Sequence, residues 1–277
     1  MEELEEPATS PRSTWAPRWW IVLLIGLALW LAAIAVTYLT SDLILLPTIV
    51  LLGSFLVPVT GVVWYLDHDP SPELSPRRIL SAFIIAGAVG VLAAAVLEYF
   101  LVNSGVVGSI QVGLIEEFVK GALILVAAYG IRTFHTRDGM VLGAAIGFGF
   151  AALESSGYAL VALFVIRGQQ LFLSLGSVVT TELVRGILAP FGHGMWTAIL
   201  GGVIFSVARR GRLYLVVNVL LAYLLVAGLH AAWDAINNIV GYAVISAIGL
   251  VPLVWLWRRG DSVGVLRRRP YISPAGG

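Results

Sequence analysis

The chain has 277 residues, of which 59% are hydrophobic and 12% charged, with a mean hydropathy of +0.93. That excess of apolar residues excludes a soluble globular protein, and a net charge of +1 gives no basis for a nucleic-acid or acidic-polymer partner. The absence of cysteine removes disulfides, thiolate metal ligands and a Cys nucleophile together.

Taken in chain order, the acidic start Met1–Glu6 lacks the basic residues of a secretory signal, and the first apolar run is long for one, so it reads as a retained helix. Apolar runs follow at roughly 19–40, 43–66, 79–101, 111–131, 139–166, 190–208, 213–236 and 241–257. Each is long enough to cross a bilayer, the last only just. The stretch 171–189 is ambiguous, because it carries Glu182 and Arg185 and ends at Pro190.

Arginine placement decides the count. If 171–189 does not cross, then Arg12, Arg18, Arg77, Arg78, Arg132, Arg137, Arg209, Arg210, Arg212, Arg258, Arg259, Arg267, Arg268 and Arg269 all share one side, opposed by Arg167 alone. If it does cross, the bias disappears. The positive-inside tendency therefore predicts an all-α polytopic membrane protein of about eight transmembrane helices, with 171–189 as a re-entrant or interfacial segment. Both termini are expected in the cytoplasm and the chain in the plasma membrane. The expected organisation is an acidic tail over 1–17, one membrane domain over 18–259 and a basic tail over 260–277. Gly139, Gly143 and Gly147 recur every fourth position and mark a close helix–helix contact.

Seven ionisable residues fall inside the apolar runs: Glu116, Glu117, Lys120, Glu154, His193, His230 and Asp234. Charges at bilayer depth are costly and commonly line a functional cavity. The topology puts them at similar levels: Glu116, His193 and His230 lie roughly 8, 5 and 10 Å below the outer ends of their helices. Asp234 is shallower, and Lys120 and Glu154 are nearer the midplane. Glu116 and Lys120, His193 and Thr197, and His230 and Asp234 are each four apart and share a helix face. Adjacent Glu116 and Glu117 cannot both ionise cheaply in a dry site unless Lys120 compensates, and a carboxylate beside histidines suits general-base work on water. Asp234 is placed to orient His230. Glu154 is placed to neutralise Lys120 or to join a metal shell. Glu182 and Arg185, three apart, read as a local ion pair, Glu98 as an interfacial acid, and Trp196 and Trp233 as packing or interface aromatics. His193-Gly-Met-Trp-Thr-Ala-Ile echoes His230-Ala-Ala-Trp-Asp-Ala-Ile.

Several protease chemistries are excluded by motif. There is no HExxH for a site-two zinc protease, no Gly-x-Ser-Gly for a rhomboid, and no pair of deep aspartates. What remains is glutamate chemistry, with or without a metal. Glu116, Glu154, His193 and His230 are zinc ligands by type. A proton-coupled transporter is the alternative from another class, since buried Glu, His and Asp also build proton relays. An inactive membrane scaffold is a third.

Glu116-Glu117-Phe118-Val119-Lys120 (EExxK), Phe150-Ala-Ala-Leu-Glu154 (FxxxE), HxxxT from His193 and HxxxD from His230 occur in order within about 110–240. In this the chain resembles the PrsW family of intramembrane proteases, relatives of the CAAX-prenyl protease and bacteriocin-processing group. The resemblance implies a membrane-embedded peptidase in which the paired glutamates activate water and the histidines support the reaction. Prominent members of that family cut anti-sigma factors in stress signalling. The depth of the charged residues, toward the outer leaflet, leads to the expectation of a single-span membrane protein or membrane-adjacent peptide as substrate, cut near its extracytoplasmic end. Ser155 stands where relatives often have Asn after the FxxxE glutamate, and Gly113 occupies the region where they often have a proline.

Overall fold

The structure, a computed structural model, describes residues 18–68, 73–167, 170–210, 216–236 and 238–260. The expected acidic tail 1–17 lies outside these residues, as do Arg12, Arg212 and, apart from Gly260, the basic tail with Arg267, Arg268 and Arg269.

The chain is all-α in its framework. Helices run Trp19–Thr40 (α1), Leu46–His68 (α2), Pro76–Ser81 (α3), Gly87–Leu101 (α4), Val106–Ala127 (α5) and Thr136–Leu163 (α6). A short antiparallel hairpin, Phe164–Arg167 (β1) and Gln170–Leu173 (β2), leads into Leu175–Leu188 (α7). His193–Arg210 (α8), Val216–Ala235 (α9) and Ile239–Arg259 (α10) complete the bundle. A π-helical turn, Ala82–Ala86, joins α3 to α4, so Pro76–Leu101 acts as one span. Among the described residues, seven helices are long and apolar enough to cross a membrane. The 22-residue α5 is as long but carries Glu116, Glu117 and Lys120. It reads as the eighth span, with its charges turned into the protein.

The segment 171–189 takes a definite form: the second hairpin strand, α7, and the start of a 3₁₀ turn, Ala189–Phe191. At about 1.5 Å per residue, the 14-residue α7 is roughly 21 Å long, short of a hydrocarbon core of about 30 Å by itself, and it forms the first part of the 35-residue stretch Leu175–Arg209 that α8 completes as one of the seven candidate spans. It runs back along the C-terminal half of α6, with Val178 packed in one cluster with Ala159 and Leu163. After the break at Pro190 and Gly192, α8 continues in the same direction along the other half of α6.

The α6–α8 contact sets the position of the site. A methyl group on Gly139, Gly143 or Gly147 would run into the backbone of Gly201, Thr197 or His193 respectively. The glycine stripe thus lets α8 approach α6 at backbone distance, as the four-residue repeat predicts. On the opposite face of α6, Gly149 leaves room for the carbonyl of Phe83 in the π-helical turn. The main buried cluster includes Ile124 of α5, Leu142 and Ile146 of α6, and Trp196, Ile199 and Phe205 of α8.

Candidate active site

Glu116, Glu117 and Lys120 occupy one turn of α5 and are all buried. Lys120 Nζ donates to Glu116 Oε2 at 2.9 Å and to Glu117 Oε1 at 2.8 Å, the i,i+4 and i,i+3 geometry of a helix face. Its third contact is His193 Nδ1 at 2.7 Å, across from α8. The ring of Phe150 lies 4.2 Å from the ammonium. Lys120 is fully buried, and these groups take the place of its hydration.

The histidines come from two further helices. With Lys120 donating to His193 Nδ1, the other ring nitrogen carries the proton and faces Glu154 Oε2 at 2.8 Å. His230 Nδ1 donates to Glu117 Oε1 at 3.0 Å, which turns Nε2 toward Glu116 Oε2, 3.7 Å away. The ring centroids of His193 and His230 are 5.0 Å apart. Trp196 stacks on His230 at 4.8 Å and meets Trp233 at 5.6 Å, so the tryptophans of the two echoed motifs form a wall behind the histidines.

Six of the seven ionisable residues read from the sequence therefore join one connected cluster drawn from α5, α6, α8 and α9. Asp234 stands at its edge. It is 3.6 Å from His230 Nε2, beyond hydrogen-bond length, and its side chain is 34% exposed. The hydrogen bond that orients His230 comes from Glu117, which corrects the expectation for Asp234.

Two other expectations are overturned. Glu154 does not neutralise Lys120; its cation is Arg185 of α7, whose Nη2 lies 2.9 Å from Glu154 Oε2. Arg185 also donates from Nε to Ser155 Oγ at 2.8 Å and lies over the ring of Tyr158 at 4.2 Å. Glu182 in turn is not paired with Arg185. It is buried against α1 and α2, accepting from Trp30 Nε1 at 2.9 Å, and Gly53 is the residue that leaves space for its carboxylate. Arg185 is thus the site residue that sequence reasoning missed. A cation in an apolar segment signals a buried acid, but spacing pointed to the acid three residues away instead of the one across the bundle.

Glu116, His193 and His230 each offer a donor atom, all within 4.8 Å of one another. Two histidines and a glutamate form one of the ligand sets of catalytic zinc, which leaves a fourth position open. Glu154, grouped with them by residue type, is outside this triad and is held by Arg185. Glu117 Oε2, Trp196 Nε1 and Thr197 Oγ1 are buried at the site without a hydrogen-bond partner in the protein. Such atoms mark room for a further polar group. By donor type and convergence the triad fits a divalent ion, and in this structure the Lys120 ammonium holds two of those donor atoms, Glu116 Oε2 at 2.9 Å and His193 Nδ1 at 2.7 Å.

Residues 75–257 match the family described as PrsW family intramembrane metalloprotease. The chain is also similar to Protease PrsW of Geobacillus kaustophilus (strain HTA426), with 25% identity over 195 residues covering 66% of this chain and 78% of that protein. No solved structure matches. All the residues of the buried cluster fall inside the matched region, whereas α1 and α2 precede it.

Proposed function

Because the chain belongs to the PrsW family of intramembrane metalloproteases, we propose that the cluster around Lys120 is its peptidase site, with Glu116 as the carboxylate that faces the attacking water. The observation that carries this reading is the convergence of Glu116, His193 and His230, from three helices, on one buried point.

Hydrolysis of a peptide bond needs a group that takes a proton from water, donors for the developing oxyanion and a proton for the leaving amine. Glu116 makes one contact with Lys120 and lies 3.7 Å from a nitrogen of each histidine, so it takes the water's proton. Glu117 is fully buried and already committed to Lys120 and His230; it holds both in position. His193, protonated at Nε2, supplies the oxyanion contact, and the proton taken by Glu116 passes to the leaving amine through His230 Nε2, with Trp196 fixing the plane of the His230 ring. Glu154, held by Arg185, sets the tautomer of His193. A divalent ion such as zinc, if held by Glu116, His193 and His230, would supply Lewis acidity toward the water and the carbonyl in place of the proton transfers assigned to those three side chains.

The arginine distribution supports cytoplasmic termini and a site in the outer half of the plasma membrane. The substrate class that suits this placement is a single-span protein or membrane-adjacent peptide cut near its extracytoplasmic end, as in regulated proteolysis of an anti-sigma factor. Glu116→Gln and Glu117→Gln, reconstituted separately with a cleavable substrate, test the assignment. Glu116→Gln is expected to keep its fold and lose about 10²–10⁴ in turnover. Glu117→Gln is expected to lose activity together with thermal stability. Wild-type turnover in both variants would rule out the glutamate mechanism.

A further inference from the structure

A second feature lies away from the catalytic cluster, at the end of the bundle where α2 and α10 finish and α6 begins. It is a cavity of about 400 Å³, with walls that include Trp64, Ala144, Phe148 and Trp257, an inner end at Gly194 and Arg258 at its mouth. We propose that this cavity binds one anionic phospholipid, with an acyl chain along Ala144 and Phe148 and the phosphate at Arg258.

Three observations select that occupant. The walls are apolar, and Met140 to Phe148 of α6 line the cavity over about 12 Å of depth. That is a slot for an acyl chain, since a helix is about 10–12 Å across with its side chains and does not fit. The mouth is basic and aromatic: Arg258 is exposed there, and Arg137 donates from Nε to the Trp257 carbonyl at 3.0 Å while lying over the Trp257 ring at 5.2 Å. Tryptophan beside arginine at a helix end is the arrangement that meets a charged headgroup at the membrane surface. A comparable cavity of about 410 Å³ between α1 and α2, lined by Val22, Gly26, Phe55 and Leu56 among others, has only apolar residues in its lining and so nothing to select a headgroup. The inner end of the lipid site touches Gly194, the residue after His193, so a bound chain would brace the first turn of α8.

The test is native mass spectrometry on the full chain extracted from vesicles of phosphatidylcholine with or without phosphatidylglycerol. Phosphatidylglycerol is expected to remain bound in preference to phosphatidylcholine. Arg258→Gln, at an exposed position, should weaken that preference about fivefold. Ala144→Phe should reduce retention of both lipids by filling the slot, and Val254→Trp fills it from the exposed side in case the first variant fails to fold. Equal retention of the two lipids by the wild type overturns the proposal. So does undiminished phosphatidylglycerol binding in the folded filled variants, which would indicate adsorption to surface arginines alone.

Discussion

Arg185 Nη2 lies 2.9 Å from Glu154 Oε2, and through that ion pair α7 reaches the same carboxylate oxygen that His193 Nε2 approaches at 2.8 Å. A 14-residue helix outside the motif-bearing spans therefore helps hold the His193 ring of the buried cluster. Replacing Arg185 by Met leaves Glu154 with a single partner and frees the His193 ring to turn. Turnover is expected to fall about 10–100-fold, the usual cost of losing a group that orients an active-site histidine. Arg185→Lys keeps the charge but loses the fork that spans Glu154 and Ser155, and should recover part of that loss. Cleavage assays on both variants beside their melting curves separate this effect from unfolding.

Gly147 faces the carbonyl of His193 and the hydroxyl of Thr197. Gly147→Ala must push α8 off α6 and carry His193 with it. The expected outcome is a loss of about 1–3 kcal/mol of stability with a disproportionate loss of activity. Gly157, where nothing lies near an added methyl group, is the matched control. Similar melting temperatures for Gly147→Ala and Gly157→Ala would contradict the tight contact.

If Glu116, His193 and His230 hold a divalent ion, elemental measurement on purified protein should find about one zinc per chain. His230→Ala should lower that occupancy, and chelation should lower the melting temperature of the wild type but not of the variant. Full occupancy in His230→Ala would remove His230 from the ligand set.

Single cysteines placed in this cysteine-free chain test the orientation. Cysteines replacing Arg77 and Arg209 are expected to react with an impermeant reagent only after the cells are opened, and one replacing Gln170 in intact cells. Labelling of the Arg209 position from outside would overturn cytoplasmic termini.

Composition and the spacing of apolar runs were enough to establish a polytopic helical membrane protein, because a chain with 59% hydrophobic residues has no soluble way to bury them. Local periodicity also paired Glu116 with Lys120, since residues four apart on a helix must share a face. The cluster of Glu116, Glu117, Glu154, His193 and His230 was legible as a set because charge is rare at that depth. Which atom met which was not legible. The sequence put Arg185 with Glu182, and only the packing of α7 along α6 brought it to Glu154 while Trp30 and Gly53 received Glu182. It likewise put His230 with Asp234, whereas the crossing of α5 and α9 gave it to Glu117. Helical spacing determines partners within a helix through a fixed rise and turn; partners between helices depend on crossing, depth and rotation, and those are settled only when the helices pack.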